Sequence, residues 1–224
     1  MENREQKDMI ISKFIIVAII AYLLGAIPFG IIISKLMANI NITEHGSGNI
    51  GGTNVLRTLG TKAGGLVVIF DLGKAIGAVL LAKLIIGDSV LFVGSFPLDW
   101  QVAQVIAAMM SMVGHNWSVY IGFRGGKGVA AYFGGWLAMA PITALIGAVI
   151  LIITAIVTRY MSRASILGAI GIFCFVVFLT LMRESPPFYL IYSLVAVALI
   201  IYQHRGNITR LRTGTESTLY IKDK

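Results

Sequence analysis

The stretch VAAYFGGWLAMAPITALIGAVILIITAIVT, Val129–Thr158, is thirty residues without a charge and carries Pro141 near its middle. It is too long for one crossing, since about 20 apolar residues span roughly 30 Å of hydrocarbon. Proline breaks a helix from within, so the stretch reads as two helices joined in a tight hairpin at Pro141. The flanks agree. Arg124 and Lys127 precede it and Arg159 and Arg163 follow it. Basic loops lie on the cytoplasmic side, so an even number of passes separates these two. The first arm, 129–140, is short for a full crossing and also fits a partial or re-entrant arm.

Working outward, the rest of the chain has the same character. Of 224 residues, 57% are hydrophobic and 12% charged, about half the charge of a soluble domain. Phe14–Ile33 and Ala164–Met182 are further uncharged runs. The backbone must satisfy its own hydrogen bonds in lipid, and no barrel-like alternation is present, so an all-α membrane protein is expected. Seven spans are predicted: 14–36, 65–86, 102–122, 129–140, 142–158, 165–182 and 188–203. Arg57, Lys62, Arg205, Arg210 and Arg212 fall in loops that join the basic side. Segment 87–101 has Asp88 and Asp99 but no Lys or Arg. The N-terminus is therefore expected outside and the tail, 204–224, in the cytoplasm. The formal net charge of +8 fits such loops, and no soluble basic face suggests nucleic acid. The single cysteine, Cys174, lies mid-span, which excludes a disulfide framework.

All the unusual polar stretches fall on the basic side. The first is GSGNIGGTNVLRTLG, Gly46–Gly60. It contains G-x-G-x-x-G, but the βαβ context of a dinucleotide site is missing. What remains is a loop whose backbone N–H groups can converge on an anion, with Ser47, Thr53 and Asn54 as further donors. Arg57 adds a bidentate fork for phosphate. The second is GHNWSVYIGFRGGKG, Gly114–Gly128. It is not a Walker A sequence, because Ile121 and Gly128 stand where that motif needs Gly and Ser/Thr. It does set Lys127 among glycines at a helix N-terminus, an anion site. Without the flanking glycines, Arg124 and Lys127 would read only as topology anchors. The third is QHRGNITRLRTGTE, Gln203–Glu216. A basic juxtamembrane tail attracted to anionic lipid explains its arginines, but not His204 and Asn207, which share a helix face.

Asp71 and Lys74 lie within the second span. Intramembrane charges are functional candidates; at i, i+3 the two also suit an ion pair that braces the site floor. Gly73 and Gly77 have the spacing of close helix packing. No metal-binding cluster, no G-x-S-x-G elbow and no His followed four residues later by Asp is present.

Together these stretches resemble the acyl-phosphate-dependent glycerol-3-phosphate acyltransferases of bacteria, the PlsY family. In the first motif Ser47, Gly48, Asn49, Gly51, Thr53, Asn54, Arg57 and Gly60 match, with Gly52 replacing alanine. Asp71 and Lys74 match the continuation. In the second, Gly114, His115, Asn116, Val119, Phe123 and the run from Gly125 to Ala130 match, with Arg124 replacing lysine and Ala131 threonine. In the third, His204, Asn207, Ile208, Arg210, Leu211, Gly214 and Glu216 match.

The resemblance implies a reaction. A fatty acyl group passes from acyl phosphate to the 1-hydroxyl of sn-glycerol 3-phosphate, giving lysophosphatidic acid and phosphate. It implies no cofactor or metal, a multi-pass protein of the bacterial cell membrane, and as a possible partner the phosphate acyltransferase that makes acyl phosphate. It assigns Lys127 and its loop to glycerol 3-phosphate, leaving Ser47 and Arg57 for the acyl phosphate. The residues expected at the chemistry are Lys127, His204, Asn207, Ser47 and Arg57. Those expected to bind substrate are Gly48, Asn49, Thr53, Asn54, Gly125, Gly126, Gly128, Ser162, Arg210 and Glu216. Phosphate is a good leaving group from a mixed anhydride, so positioning and charge stabilisation suffice without a covalent enzyme intermediate. His204 is either the base or a hydrogen-bond donor orienting a substrate phosphate that accepts the proton itself. Two other classes fit less well. A transporter for a phosphorylated solute predicts an internal repeat, and none is visible. A structural scaffold leaves the three polar motifs unexplained.

Overall fold

The computed structural model describes residues 4–219, so 220–224 of the tail lie outside the described residues. The chain is mostly helical. Helix α1 runs Arg4–Ala26 and α2 Phe29–Ala38. The first span thus starts ten residues before the expected 14, and it is broken. Pro28 has no N–H to give the helix, and the chain turns there before α2 begins. A 3-10 turn at Ile42–Glu44 leads into the first glycine loop, and the short α3, Gly52–Leu59, follows. Helix α4, Thr61–Ile86, is the second span.

Between α4 and α5 the expected all-helical plan needs a correction. Strands β1, Leu91–Val93, and β2, Phe96–Leu98, form a small antiparallel hairpin with Phe92 opposite Pro97. Asp99 then accepts from the N–H groups of Gln101 and Val102 and caps α5, Trp100–Asn116. That helix ends six residues before the expected 122. Helices α6, Val129–Met139, and α7, Pro141–Thr158, meet at Pro141, where the ring sits at the first turn and its missing donor is harmless. Helix α8 spans Met161–Leu181, α9 Pro187–Gln203 and α10 Arg205–Arg212.

Among the described residues, four stretches are long and apolar enough to cross a membrane: Arg4–Ala38, α4, α7 and α8. Helices α9 and α10, bent by 57°, make a fifth when taken together. The seven crossings expected from sequence are not clearly present, because α5 has 17 residues and α6 has 11. At 1.5 Å per residue α6 covers only about 16 Å.

Helix α5 packs between α1 and α4, and α6 lies on α4 and α5; α8 links α7 to α9. Small residues set the closest approach. A Cβ on Gly25 or Gly114 would collide with the backbone of the facing helix, α5 or α1 respectively. Gly73 and Gly77, expected to do this, have nothing within 4 Å of a would-be Cβ. Tyr132, Trp136 and Tyr192 fill the buried centre.

Candidate active site

The loop before α3, the starts of α6 and α8, and the chain after the bend at His204 come together at a common place. A cavity of about 560 Å³ lies there, within the usual range for small-molecule sites. Its polar end is built from the loop before α3, α3 itself, the start of α6, and the chain from His204 to Ser217. Val68, Leu72, Phe133 and Leu151 line an apolar part. Of the residues expected at the chemistry or in substrate binding, all but three line it. The exceptions are Gly48, Gly125 and Gly126. Gly48 is a turn residue with φ +69°. Gly125 and Gly126 lie against the end of α5: a Cβ on the first would strike the carbonyl of His115, and on the second its ring. These two are packing glycines at the back of the loop. Arg124 is exposed and outside the cavity.

The first glycine loop is organised by Asn54, which is buried in α3. Its Oδ1 accepts from the Ser47 N–H at 2.9 Å, and its Nδ2 donates to the carbonyls of Asn49 and His45 at 2.9 and 3.0 Å. These bonds are internal, so Asn54 shapes the loop from within. Ser47 remains exposed at the rim. Arg57, one turn beyond Thr53 on the same face of the helix, donates from Nη2 to the Ser217 carbonyl at 2.8 Å. Its Nε is buried and has no hydrogen-bond partner among the described residues. Burial lowers the pKa of the guanidinium, Glu216 opposes this and Arg210 adds to it.

Lys127 precedes α6, whose first-turn N–H groups have no intrahelical acceptor. Its Nζ donates to Asn207 Oδ1 at 2.6 Å. Asn207 Nδ2 donates to Glu216 Oε1 at 2.6 Å, and Arg210 Nε to Glu216 Oε2 at 2.8 Å. The second and third polar stretches are thus joined in one chain of bonds. Burial pulls the Lys127 ammonium down to about 8; Glu216 resists this, while Arg210 and Arg57 reinforce it. Burial also resists ionisation of Glu216, but the bonds from Asn207 and Arg210 outweigh it and hold the carboxyl below its ordinary value. A carboxylate repels phosphate, so Glu216 belongs here as the anchor of Asn207 and Arg210.

His204 closes α9, with Nδ1 2.8 Å from the Ile200 carbonyl. A carbonyl only accepts, so Nδ1 carries the proton and Nε2 is an acceptor. Burial first, then the charge of Lys127, pulls the imidazole down to about 4, so it is neutral at pH 7. The side of the ring left free therefore presents a lone pair and not a proton. Ser162 and Ser165, at the start of α8, are both buried against the cavity. Sequence reasoning left out His115, which lines the cavity together with Asp71. The signal was the charged pair on α4, whose third member lies on another helix.

A family model for glycerol-3-phosphate acyltransferases matches residues 15–214. The chain belongs to the glycerol-3-phosphate acyltransferase family. It is 41% identical over 96% of its length to the whole of a glycerol-3-phosphate acyltransferase 3 of Dehalococcoides mccartyi. It is 39% identical to the glycerol-3-phosphate acyltransferase of Clostridioides difficile, covering 93% of this chain and 96% of that one. Among solved structures it is similar to PlsY, an integral membrane glycerol 3-phosphate acyltransferase. The glycerol 3-phosphate form aligns with TM-score 0.78 at 38% identity, over 92% of this chain and 94% of that one. The lysophosphatidic acid form aligns with TM-score 0.77. The family member described here is a multi-pass membrane acyltransferase of phospholipid synthesis.

Proposed function

We propose that the protein transfers a fatty acyl group from acyl phosphate to the 1-hydroxyl of sn-glycerol 3-phosphate, releasing lysophosphatidic acid and phosphate. The observation that carries this reading is the composition of the cavity. Three cationic side chains, Arg57, Lys127 and Arg210, line its polar end, and an apolar part leads away along α4, α6 and α7. Both substrates bear phosphate, and one bears a long apolar tail. The names of the relatives supply the acceptor and the product.

In this reading Lys127, the start of α6 and Arg210 hold the phosphate of glycerol 3-phosphate. Arg57, with Ser47, Asn49 and Thr53 around it, faces the acyl phosphate, and Ser162 adds a hydroxyl between them. Asn207 hands the Lys127 charge to the substrate. His204 accepts a hydrogen bond from the 1-hydroxyl and orients its lone pair at the carbonyl carbon. The new C–O bond forms as the carbon–oxygen bond to phosphate breaks. The hydroxyl proton passes to a phosphate oxygen, whose second pKa is about 6, because a histidine held near 4 is a poorer resting place. The site faces the cytoplasm of a bacterial cell, with the N-terminus outside and the tail inside. A phosphate acyltransferase that makes acyl phosphate is the natural supplier of the donor.

The experiment is direct. Purified protein is incubated with an acyl phosphate and radiolabelled glycerol 3-phosphate, and the lipid product is resolved. Labelled lysophosphatidate is expected with acyl phosphate, little with acyl-CoA, and no loss on adding a chelator. Equal rates with acyl-CoA would overturn the donor assignment.

A further inference from the structure

Beneath the glycine loop lies a polar cluster that the reaction scheme above does not use. Asp71 and Lys74 are one turn apart on α4, and His115 is in the last turn of α5. All three are buried. Lys74 Nζ is 2.8 Å from Asp71 Oδ1, 2.9 Å from the Ile27 carbonyl and 3.0 Å from His115 Nδ1. An ammonium has three protons and no lone pair. Its three partners here must all accept, so His115 Nδ1 accepts and the ring proton sits on Nε2. Asp71 Oδ1 is 3.6 Å from Nδ1, too far to compete for it.

No group among the described residues accepts from Nε2–H, and Nε2 is not one of the buried atoms cut off from a partner; His115 lines the cavity. A donor that faces an open cavity is available to a bound acceptor. Its surroundings indicate which. Gly126 lies against the ring edge, where a Cβ would collide with Nε2, and its N–H donates to the His115 carbonyl at 3.0 Å. The next residue is Lys127. His204 shows the opposite arrangement, with Nδ1 protonated and Nε2 accepting. One cavity therefore holds two buried imidazoles in complementary tautomers.

We infer that His115 is a substrate-binding residue whose Nε2–H donates to a phosphoryl oxygen beside the glycine loop, its tautomer fixed by Lys74. This rests on the reading of the cavity as a site for phosphorylated substrates. It divides the labour between the two rings: the acceptor ring takes a hydroxyl and the donor ring takes an anion. A neutral donor adds a directed hydrogen bond without adding charge to a loop that already holds Lys127.

The test is nitrogen NMR of the full chain in detergent micelles with the histidine rings labelled, and His115→Gln to assign the signals. The expected result is the Nε2–H form at His115, the Nδ1–H form at His204, and movement of the His115 Nε2 resonance on titration with inorganic phosphate. An Nδ1–H form at His115, or an Nε2 signal unmoved by saturating phosphate, overturns the inference. Kinetics give an independent arm. His115→Leu is expected to raise KM for glycerol 3-phosphate or acyl phosphate by about tenfold, the size of one neutral hydrogen bond, with a smaller change in kcat. His115→Gln, whose amide returns an N–H near the Nε2 position, recovers most of that loss. Unchanged KM values for both substrates in a folded His115→Leu protein count against it. If the leucine protein does not fold, the NMR result on the unmodified chain decides. If the unmodified chain makes no lysophosphatidate, the proposed reaction fails, while the phosphate titration still judges His115 alone.

Discussion

The ammonium of Lys127 rests 2.6 Å from the amide oxygen of Asn207. The cation best placed for phosphate is therefore held by a neutral acceptor, which gives it up to an anion more readily than a carboxylate would. Glu216 stands one step behind and turns the amide so that its oxygen, not its nitrogen, faces Lys127.

Removing the charge has a defined consequence. Lys127→Ala is expected to lower kcat/KM for glycerol 3-phosphate by at least about 100-fold, since a charged phosphate contact in a shielded site is worth a few kcal/mol. Membrane insertion and the helical content measured by circular dichroism stay the same. Near-normal turnover would reduce Lys127 to a topology anchor.

The same group shapes the pH profile. With Lys127 at about 8 in the free protein, kcat/KM falls as pH rises through 8, because the neutral amine no longer attracts phosphate. Lys127→Arg removes this alkaline limb, as guanidinium keeps its proton there. The limb persisting in the arginine protein would assign it elsewhere.

His204 is expected to leave no mark near pH 6.5, because it is neutral above about 4. An acid limb near pH 6 belongs to the substrate phosphate and is retained in His204→Gln. That variant keeps a substantial fraction of kcat and mainly raises KM for glycerol 3-phosphate, as the glutamine oxygen can accept in place of Nε2. A collapsed kcat with unchanged KM would make His204 the base.

Two glycine substitutions give opposite outcomes. Gly126→Ala puts a Cβ into the buried His115 ring, 2.8 Å from Cε1, and should lower both activity and the thermal midpoint in detergent. Gly73→Ala meets nothing within 4 Å and should be neutral or stabilise by about 0.5–1 kcal/mol, the ordinary gain in a helix. Equal behaviour of the two would contradict the packing described for the loop.

Much of this arrangement was legible in the sequence, and the failures have physical causes. The helix pair meeting at Pro141 follows from charge and a missing N–H, both local properties. So does α4, which runs 61–86 against an expected 65–86. Pro28 carries the same missing N–H, but the run around it, Phe14–Ile33, is only as long as one crossing, so neither charge nor length asks for it to be divided. Helix α3 has eight residues among glycines and is held by Asn54 and its contacts with α4, which no periodicity reports. The β1–β2 hairpin has three-residue strands, one with a proline. At the site, residue type revealed the cations. It could not separate Gly125 and Gly126, which pack on α5, from Gly128, which lines the cavity. The tie of Glu216 to Asn207 and Arg210 exists only in three dimensions, and no spacing reports it.

The walls of the cavity are supplied in an order that sets a clock. Its last contributors, Asn207, Arg210, Glu216 and Ser217, follow every apolar helix in the chain, and Arg57 waits for the Ser217 carbonyl across 160 residues. A nascent chain emerging from the ribosome can insert all its membrane helices and still lack a finished site. The cavity is complete only after the bend at His204 and the residues up to Ser217 have been translated and packed against it. A chain stalled between α9 and Glu216 would be embedded in lipid yet inert toward its substrates.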